Sequence, residues 1–321
     1  MPVLVTGATG FLGSEIVRRA RESGLVVRAT DRVEAPPDFP GEYHRADILD
    51  PEGLLPAMSG TEGVIHAAGL AHVFGQAKAA VAPFKAVNAT GTLNVARMAS
   101  KAGVKHFVLV SSVAVYGSSG GQDHIDSACR PEGPYAESKW QAEQRAIEVA
   151  RETGMQLTIL RLATLYGEGD PGNIARLMRL IDRGRFVWVG NGSNRKSLIH
   201  REDAARACIA AACAPDSGTR IFNVSAPACL VRGLVEGLAS LLGRRIPRLR
   251  IPAPFAMRLI GTASRLANGR GPFGTAEAAL RKWLADDVYD GGLFEEAFEF
   301  RARIGLTEGL RREVAWHRHR Q

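Results

Sequence analysis

From the N-terminus to about residue 165, short aliphatic and β-branched runs alternate with longer segments whose apolar positions recur every three to four residues. Val3–Val5, Leu25–Thr30, a brief run at Tyr43–Arg45, Val64–Ala67, Lys105–Ser111 and Met155–Leu162 read as strands. Ser14–Arg21, Phe84–Ala102 and Tyr135–Arg151 read as helices, with Gly103 ending the second. Continuous apolar strands separated by helices predict βαβ crossovers and a mainly parallel sheet covered on both faces. Past Gly167 the rhythm loosens. Helices are expected at Ile174–Gly184, Glu202–Ala214, Leu230–Leu242, Phe255–Leu266, Glu277–Leu284 and Thr307–Arg318, the last with Thr307 as its N-cap. Phe186–Val189, Arg220–Val224 and Arg248–Ile251 predict short strands. The fold class expected is α/β, a doubly wound, mainly parallel sheet over residues 1–167. Residues 168–321 are expected to form a smaller α/β lobe interleaved with elements that return to the main sheet.

Composition changes this picture little. The chain has 321 residues, 45% of them hydrophobic and 23% charged, ordinary values for a globular protein. It opens MPVLVTG without a basic leader, and no run reaches the roughly 18 apolar residues of a membrane span, so neither signal peptide nor span is expected. Cys129, Cys208, Cys213 and Cys229 form no CxxC pair. A five-residue spacing puts Cys208 and Cys213 on different helix faces, so the four read as small packing residues in a cytoplasmic protein, with no metal expected. The net charge of +8 comes from arginine. The densest basic run (Arg244, Arg245, Arg248, Arg250) is broken by Pro247, and Arg311–Arg320 also holds Glu313. Dispersed arginines favour a small anionic substrate over nucleic acid.

Chemistry concentrates at the strand ends. Gly7, Gly10 and Gly13 form a GxxGxxG turn between the first strand and the first helix. Gly7 permits the turn, Gly10 lets a pyrophosphate approach backbone, and Gly13 allows close packing of helix on strand. Asp31 closes the second strand, where a carboxylate accepts both ribose hydroxyls of an adenosine and repels a 2′-phosphate; this favours NAD over NADP, although Arg32 beside it could face such a phosphate. Asp47-Ile48 offers a carboxylate to an adenine amino group and an apolar side chain to the ring. Ala67, Ala68 and Gly69, after His66, let a dinucleotide lie close to backbone, His66 itself reading as structural.

Tyr135 and Lys139 stand at i and i+4, on one face of their helix. An ammonium one turn away, together with an oxidised nicotinamide, is expected to move the phenol towards neutrality, so that it exchanges a proton with a substrate alcohol. Ser112, at the end of the Lys105–Ser111 strand, would orient the substrate oxygen.

These motifs together, with Asn88-Ala-Thr-Gly91-Thr92, SSVAVYG (Ser111–Gly117), LRLATLYGEGD (Leu160–Asp170), Gly190–Ala207 and Gly305–Trp316, resemble the extended short-chain dehydrogenase/reductases of the NAD-dependent epimerase/dehydratase family. The resemblance covers nearly the whole chain. It implies a Rossmann-like NAD(P) domain and a C-terminal lobe that closes on a substrate, commonly a nucleotide-sugar. It implies Ser112, Tyr135 and Lys139 as the catalytic triad, with Asn88 supporting the proton relay. It adds Thr9, Phe11 and Leu12 to the cofactor contacts, and Asn173, Arg195 and His200 to the substrate contacts of Ser112 and Tyr135. Asp203 is the carboxylate that starts a helix, and a homodimer is the expected assembly. Ser112-Val-Ala stands where dehydratases of the family read Thr-Asp-Glu, which disfavours 4,6-dehydration. Three readings follow from the resemblance: an NAD-dependent nucleotide-sugar epimerase, a 4-keto-sugar reductase or 3β-hydroxysteroid-type dehydrogenase, and an NAD(P)-binding structural protein.

Overall fold

The computed structural model describes residues 2–39, 41–71, 81–118, 122–215, 218–266 and 272–319; Arg320 lies outside them. Seven strands make one parallel sheet: β1 Pro2–Thr6, β2 Val26–Asp31, β3 Glu42–Arg45, β4 Gly63–His66, β5 His106–Ser112, β6 Gln156–Leu162 and β7 Thr219–Val224. Their order is β7-β6-β5-β4-β1-β2-β3. The chain therefore winds one way from β1 to β3, then crosses back beside β1 and winds the other way. The reversal falls between β1 and β4, where Thr6 is registered against His66. In such sheets the crevice at the carboxyl ends of the two strands flanking the reversal receives the ligand.

The helices are α1 Gly13–Glu22, α2 Pro51–Met58, α3 (Val81–Phe84, Lys85–Thr90 and Gly91–Lys101 in one run), α4 Gly133–Thr153, α5 Asn173–Asp182, α6 Arg201–Ala212, α7 Val231–Leu242, α8 Ala253–Leu266, α9 Pro272–Leu284, α10 Gly292–Ala297 and α11 Leu306–Arg318. Side chains alternate across each strand, so β1 sends Val3 and Val5 to one face and Leu4 to the other. Val3 and Val5 join Ile16 and Val17 of α1 and Ala204 and Cys208 of α6. Leu4 joins Leu54 of α2, Val95 of α3 and Ala146 of α4. The sheet is thus covered on both faces, as expected. A third apolar cluster lies off the sheet and contains Tyr166, Ile174, Met178, Trp188, Leu234, Leu238, Leu310 and Val314. Between the segments that build it, α6 and β7 return to the main sheet.

Several elements depart from the sequence expectations. Helix α2 has no counterpart in them, because Gly53 and Pro56 interrupt its pattern; Pro51 fits the first turn, where no amide donor is needed. Helix α3 begins earlier than Phe84, and its middle, Lys85–Thr90, is π-helical. Gly305 takes the N-cap position assigned to Thr307, which falls inside α11. Cys208 is buried and Cys213 exposed, on the two faces their spacing required. Among the described residues no helix is long and apolar enough to cross a membrane.

Candidate active site

The turn after β1 is drawn tightly against the exit of β4. Gly7 has φ +68°, and a Cβ on it would stand 2.6 Å from the Ala68 Cα. A Cβ on Gly13 would stand 2.0 Å from the Gly7 carbonyl oxygen, so only glycine lets α1 start this close to the turn. No side chain caps the N-terminus of α1. Its first amides and the positive end of its dipole are left to an anion. Asp31 sits at the edge of this cradle. Its Oδ2 accepts from the Thr9 amide (3.1 Å) and the Thr9 hydroxyl (2.7 Å), and its Oδ1 from the Arg32 amide (2.8 Å). The carboxylate is thereby held in one orientation with acceptor capacity to spare. Arg32 is exposed. Asp47 is also exposed and closes its own turn on the Leu49 amide, while Ile48 is buried against Gly91. These residues fit a dinucleotide with an unphosphorylated adenosine ribose.

A polar chain fixes the two loops that flank the crevice. The Ala68 amide donates to Thr6 Oγ1 (3.3 Å), and Thr6 Oγ1 lies 2.7 Å from His66 Nδ1. On the other side His66 Nε2 is 3.0 Å from Thr92 Oγ1, which donates to the Asn88 carbonyl (2.6 Å). Thr92 has one proton and spends it on that carbonyl, so His66 must donate from Nε2 and accept at Nδ1. Burial, reinforced by the Lys139 charge, pulls His66 down to about 3, which keeps the ring neutral and the tautomer fixed. The structural reading of His66 fits this placement.

The π-helical turn presents the Asn88 side chain to three partners. Its Oδ1 accepts from the Leu70 amide (2.8 Å), and its Nδ2 donates to the Leu70 carbonyl (3.0 Å) and to Ser138 Oγ (2.9 Å). Ser138 in turn donates to the Tyr135 carbonyl (2.7 Å). Asn88 thus ties the loop after β4 to the turn of α4 that carries Tyr135 and Lys139. π-helical turns of this kind recur at functional sites.

Ser112 ends β5 and caps the turn Val113–Tyr116, accepting from the Ala114 amide (3.2 Å). Its hydroxyl also contacts the Tyr135 phenol. Tyr135 is half-buried, with its ring edge-on to Phe84 at 5.9 Å. Burial raises the phenol above its ordinary value, and the Ser112 hydrogen bond opposes that rise. Lys139 is buried, and burial brings it down to about 8 against the opposing charge of Glu143. Its Nζ donates to the Val110 carbonyl of β5 (2.5 Å). Tyr135 and Lys139 stand on one helix face, with the ammonium drawn to the Val110 carbonyl of β5 and the phenol raised by burial.

Behind Ser112 lies a buried charged network that sequence reasoning did not assemble. Arg161 on β6 pairs with Glu143 at 2.7 Å, and Glu143 also accepts from Ser111 (2.5 Å). Arg161 donates to the Tyr116 hydroxyl (3.0 Å), which donates to Asn223 on β7 (2.7 Å). The guanidinium lies 4.9 Å over the Tyr116 ring, and Tyr289 stacks with that ring at 5.9 Å between centroids. Ser111, Arg161 and Asn223 come from three adjacent strands in register. The available signal was the extension of Tyr135xxxLys139 by Glu143 four residues on.

The structure brings Ser112, Tyr135, Lys139 and Asn88 together beside the glycine turn. It joins neither Arg195 nor His200 to them by a contact among the described residues. Arg195 is exposed and pairs with Asp286 (3.4 Å). His200 caps α6 by accepting from the Glu202 amide (3.3 Å), and its Nε2 is 3.2 Å from Glu168. Asn173 is exposed at the start of α5. Asp203 is buried in the first turn of α6 and accepts from the amides of Arg303 (3.0 Å) and Ile304 (2.8 Å).

Comparison with known proteins agrees with this geometry. Residues 3–225 match the model of the NAD dependent epimerase/dehydratase family. The chain is 30% identical to the N-acetyl-alpha-D-glucosaminyl-diphospho-ditrans,octacis-undecaprenol 4-epimerase of Escherichia coli O157:H7, over 98% of this chain and 94% of that enzyme. It is 29% identical to the UDP-glucose 4-epimerase of Vibrio cholerae over 70% of each. Among solved structures, MoeE5 in complex with UDP-glucose and NAD superposes with a TM-score of 0.80 at 28% identity, covering 100% of this chain and 99% of that one.

Proposed function

The chain belongs to the NAD dependent epimerase/dehydratase family, and from that membership we propose that it is an NAD-dependent nucleotide-sugar epimerase of the 4-epimerase type. The observation that carries the reading is the Ser112–Tyr135–Lys139 cluster at the carboxyl end of β5, beside the point where the sheet reverses. The glycine turn and the uncapped N-terminus of α1 receive a pyrophosphate, Asp31 takes the adenosine ribose hydroxyls, and the backbone of Ala67–Gly69 lines the crevice. Thr9 holds Asp31, and Phe11 and Leu12 belong to the same turn. When bound, NAD supplies a hydride acceptor that can return the hydride, which is what interconversion of epimers requires.

The protein's own groups handle the proton. Ser112 accepts from the Ala114 amide and has a single O–H, which donates either to the phenol or to a substrate oxygen bound there. Tyr135 gives a proton to that oxygen or takes one from it. Lys139 holds the end of β5 through Val110 and keeps a positive charge within the site. Asn88 acts as a positioning residue, since its side chain is committed to Leu70 and Ser138.

A second reading is a 4-keto-sugar reductase, in which Tyr135 gives its proton to the oxygen that receives the charge of hydride addition. We assign residues 1–167 to the cofactor domain and residues 168–321 to a substrate lobe interleaved with it; the separate apolar cluster around Trp188 and Leu238 supports that division. A homodimer is the proposed assembly. Incubation of the purified protein with UDP-glucose and UDP-N-acetylglucosamine should interconvert the 4-epimers without net change in NADH absorbance. Stoichiometric NADH consumption with a 4-keto sugar would establish the reductase instead.

The cofactor assignment has its own test. Asp31→Ala should weaken NAD binding by about tenfold or more in a calorimetric titration, the loss of a charged hydrogen bond to a ribose hydroxyl. NADP should bind the wild type more weakly than NAD. Unchanged NAD affinity in the variant would remove Asp31 from the site.

A further inference from the structure

Almost all of the chain's excess charge sits in one stretch. Residues 237–276 contain seven arginines and no lysine, aspartate or glutamate, and so carry +7 of the chain's +8. In the described part of that stretch Arg244, Arg245, Arg248, Arg250 and Arg258 are all exposed. Arg245, Arg248 and Arg258 form no ion pair among the described residues. Several surface arginines elsewhere are paired with carboxylates along their helices, as Arg18 is with Glu15 and Glu22.

The same stretch exposes large apolar side chains. Arg250 and Ile251 pair in parallel with Trp188 and Val189. Arg250 lies over the Trp188 ring at 5.8 Å. The residues just before that pair, Leu249 and Val187, are 76% and 50% exposed. Helix α8 begins two residues after Ile251 and turns Phe255 and Leu259, one helical turn apart, outward at 62% exposure each. Ala256 of α8 and Leu280 of α9 are buried, so the helix has an inner face already packed and an outer one that is apolar and flanked by arginine. Exposed aromatic and aliphatic side chains interleaved with unpaired arginines, on a helix and the turn leading into it, have the composition of an interfacial element.

We propose that this face, Leu249, Phe255 and Leu259 with the arginines around them, is a docking surface for an anionic phospholipid bilayer. The apolar side chains enter the headgroup–acyl boundary, and the arginines meet lipid phosphates. Charge complementarity commits the surface to a membrane. A second copy of the chain would bring the same unpaired arginines face to face, with no carboxylate in the stretch to answer them.

The test is co-sedimentation of the full-length protein with vesicles of phosphatidylcholine alone and of phosphatidylcholine with 30% phosphatidylglycerol. Binding is expected to the anionic vesicles, weaker by about tenfold or more on neutral ones and at 0.5 M salt. Phe255→Ser/Leu259→Ser and, separately, Arg245→Gln/Arg248→Gln should each lower binding by about tenfold or more. These positions are exposed, and thermal melting checks that the variants fold. No binding by the wild type, or binding that neither pair of substitutions alters, overturns the proposal. So does light scattering that shows a dimer dissolved by the Phe255/Leu259 substitutions without any vesicle binding.

Discussion

Tyr135→Phe is expected to lower turnover by about 10³-fold while leaving NAD affinity within about threefold of the wild type. The substitution removes one oxygen. Phenylalanine keeps the ring and its edge contact with Phe84, and it leaves the Asn88–Ser138 hydrogen bonds that hold this turn of α4, because those run to the Tyr135 backbone. What disappears is the group that shares a hydrogen bond with Ser112 and, in the proposed mechanism, exchanges a proton with the substrate. Water is a poor substitute in a half-buried position. Stopped-flow or steady-state turnover on the substrate identified above, paired with a calorimetric NAD titration, separates the two effects. Retention of more than a tenth of the wild-type rate would take the proton step away from Tyr135. A parallel loss of cofactor affinity would point to a collapsed site.

Glu313→Gln is expected to stabilise the protein at pH 8 and to leave its stability at pH 4 nearly unchanged. Glu313 lies on α11 and is only 1% exposed, and neither carboxylate oxygen makes a hydrogen bond of ordinary geometry. Burial raises its carboxyl to about 8; the Asp170 charge adds to the rise, and the Gly167 backbone and Arg179 oppose it. The proton is therefore held more tightly in the folded chain than in the unfolded one. Below the ordinary carboxyl value of 4.5 both states are protonated and there is no penalty. Between 4.5 and about 8 the unfolded chain releases the proton and the folded chain does not, so stability falls as pH rises. At pH 7 the cost is on the order of 3 kcal/mol. Glutamine has nearly the same shape and no proton to lose. The melting temperature of the variant should exceed that of the wild type by several degrees at pH 8. An equal increment at pH 4 and pH 8, or none at either, would show that Glu313 does not carry this charge penalty.

Glu313 also marks a limit of the sequence. In an arginine-rich terminal stretch it reads as one more surface charge. Only the packing of α11 against the loop after β6, where Gly309 comes within contact distance of Tyr166, turns it into a buried acid. Glu143 and Arg161 follow the same logic. The two meet because α4, which carries Glu143, packs over β5 and β6.

Residue pattern carried the doubly wound sheet, the glycine turn, the acid closing β2, and the placing of Tyr135 and Lys139 on one helix face. These features are local: a strand, a turn of fixed length, or two side chains four residues apart on one helix. Backbone geometry projects them to the same end of a parallel sheet whatever the rest of the chain does. Tertiary packing was needed for the lysine's contact with β5, the π-helical turn that aims Asn88, the neutral tautomer of His66, and the partners of Arg195 and His200. Each of these depends on which group lies across a contact between segments distant in sequence, and on how much water that contact excludes. Desolvation and donor counting shift Tyr135, Lys139, His66 and Glu313 from their ordinary values, and neither quantity is written in residue spacing.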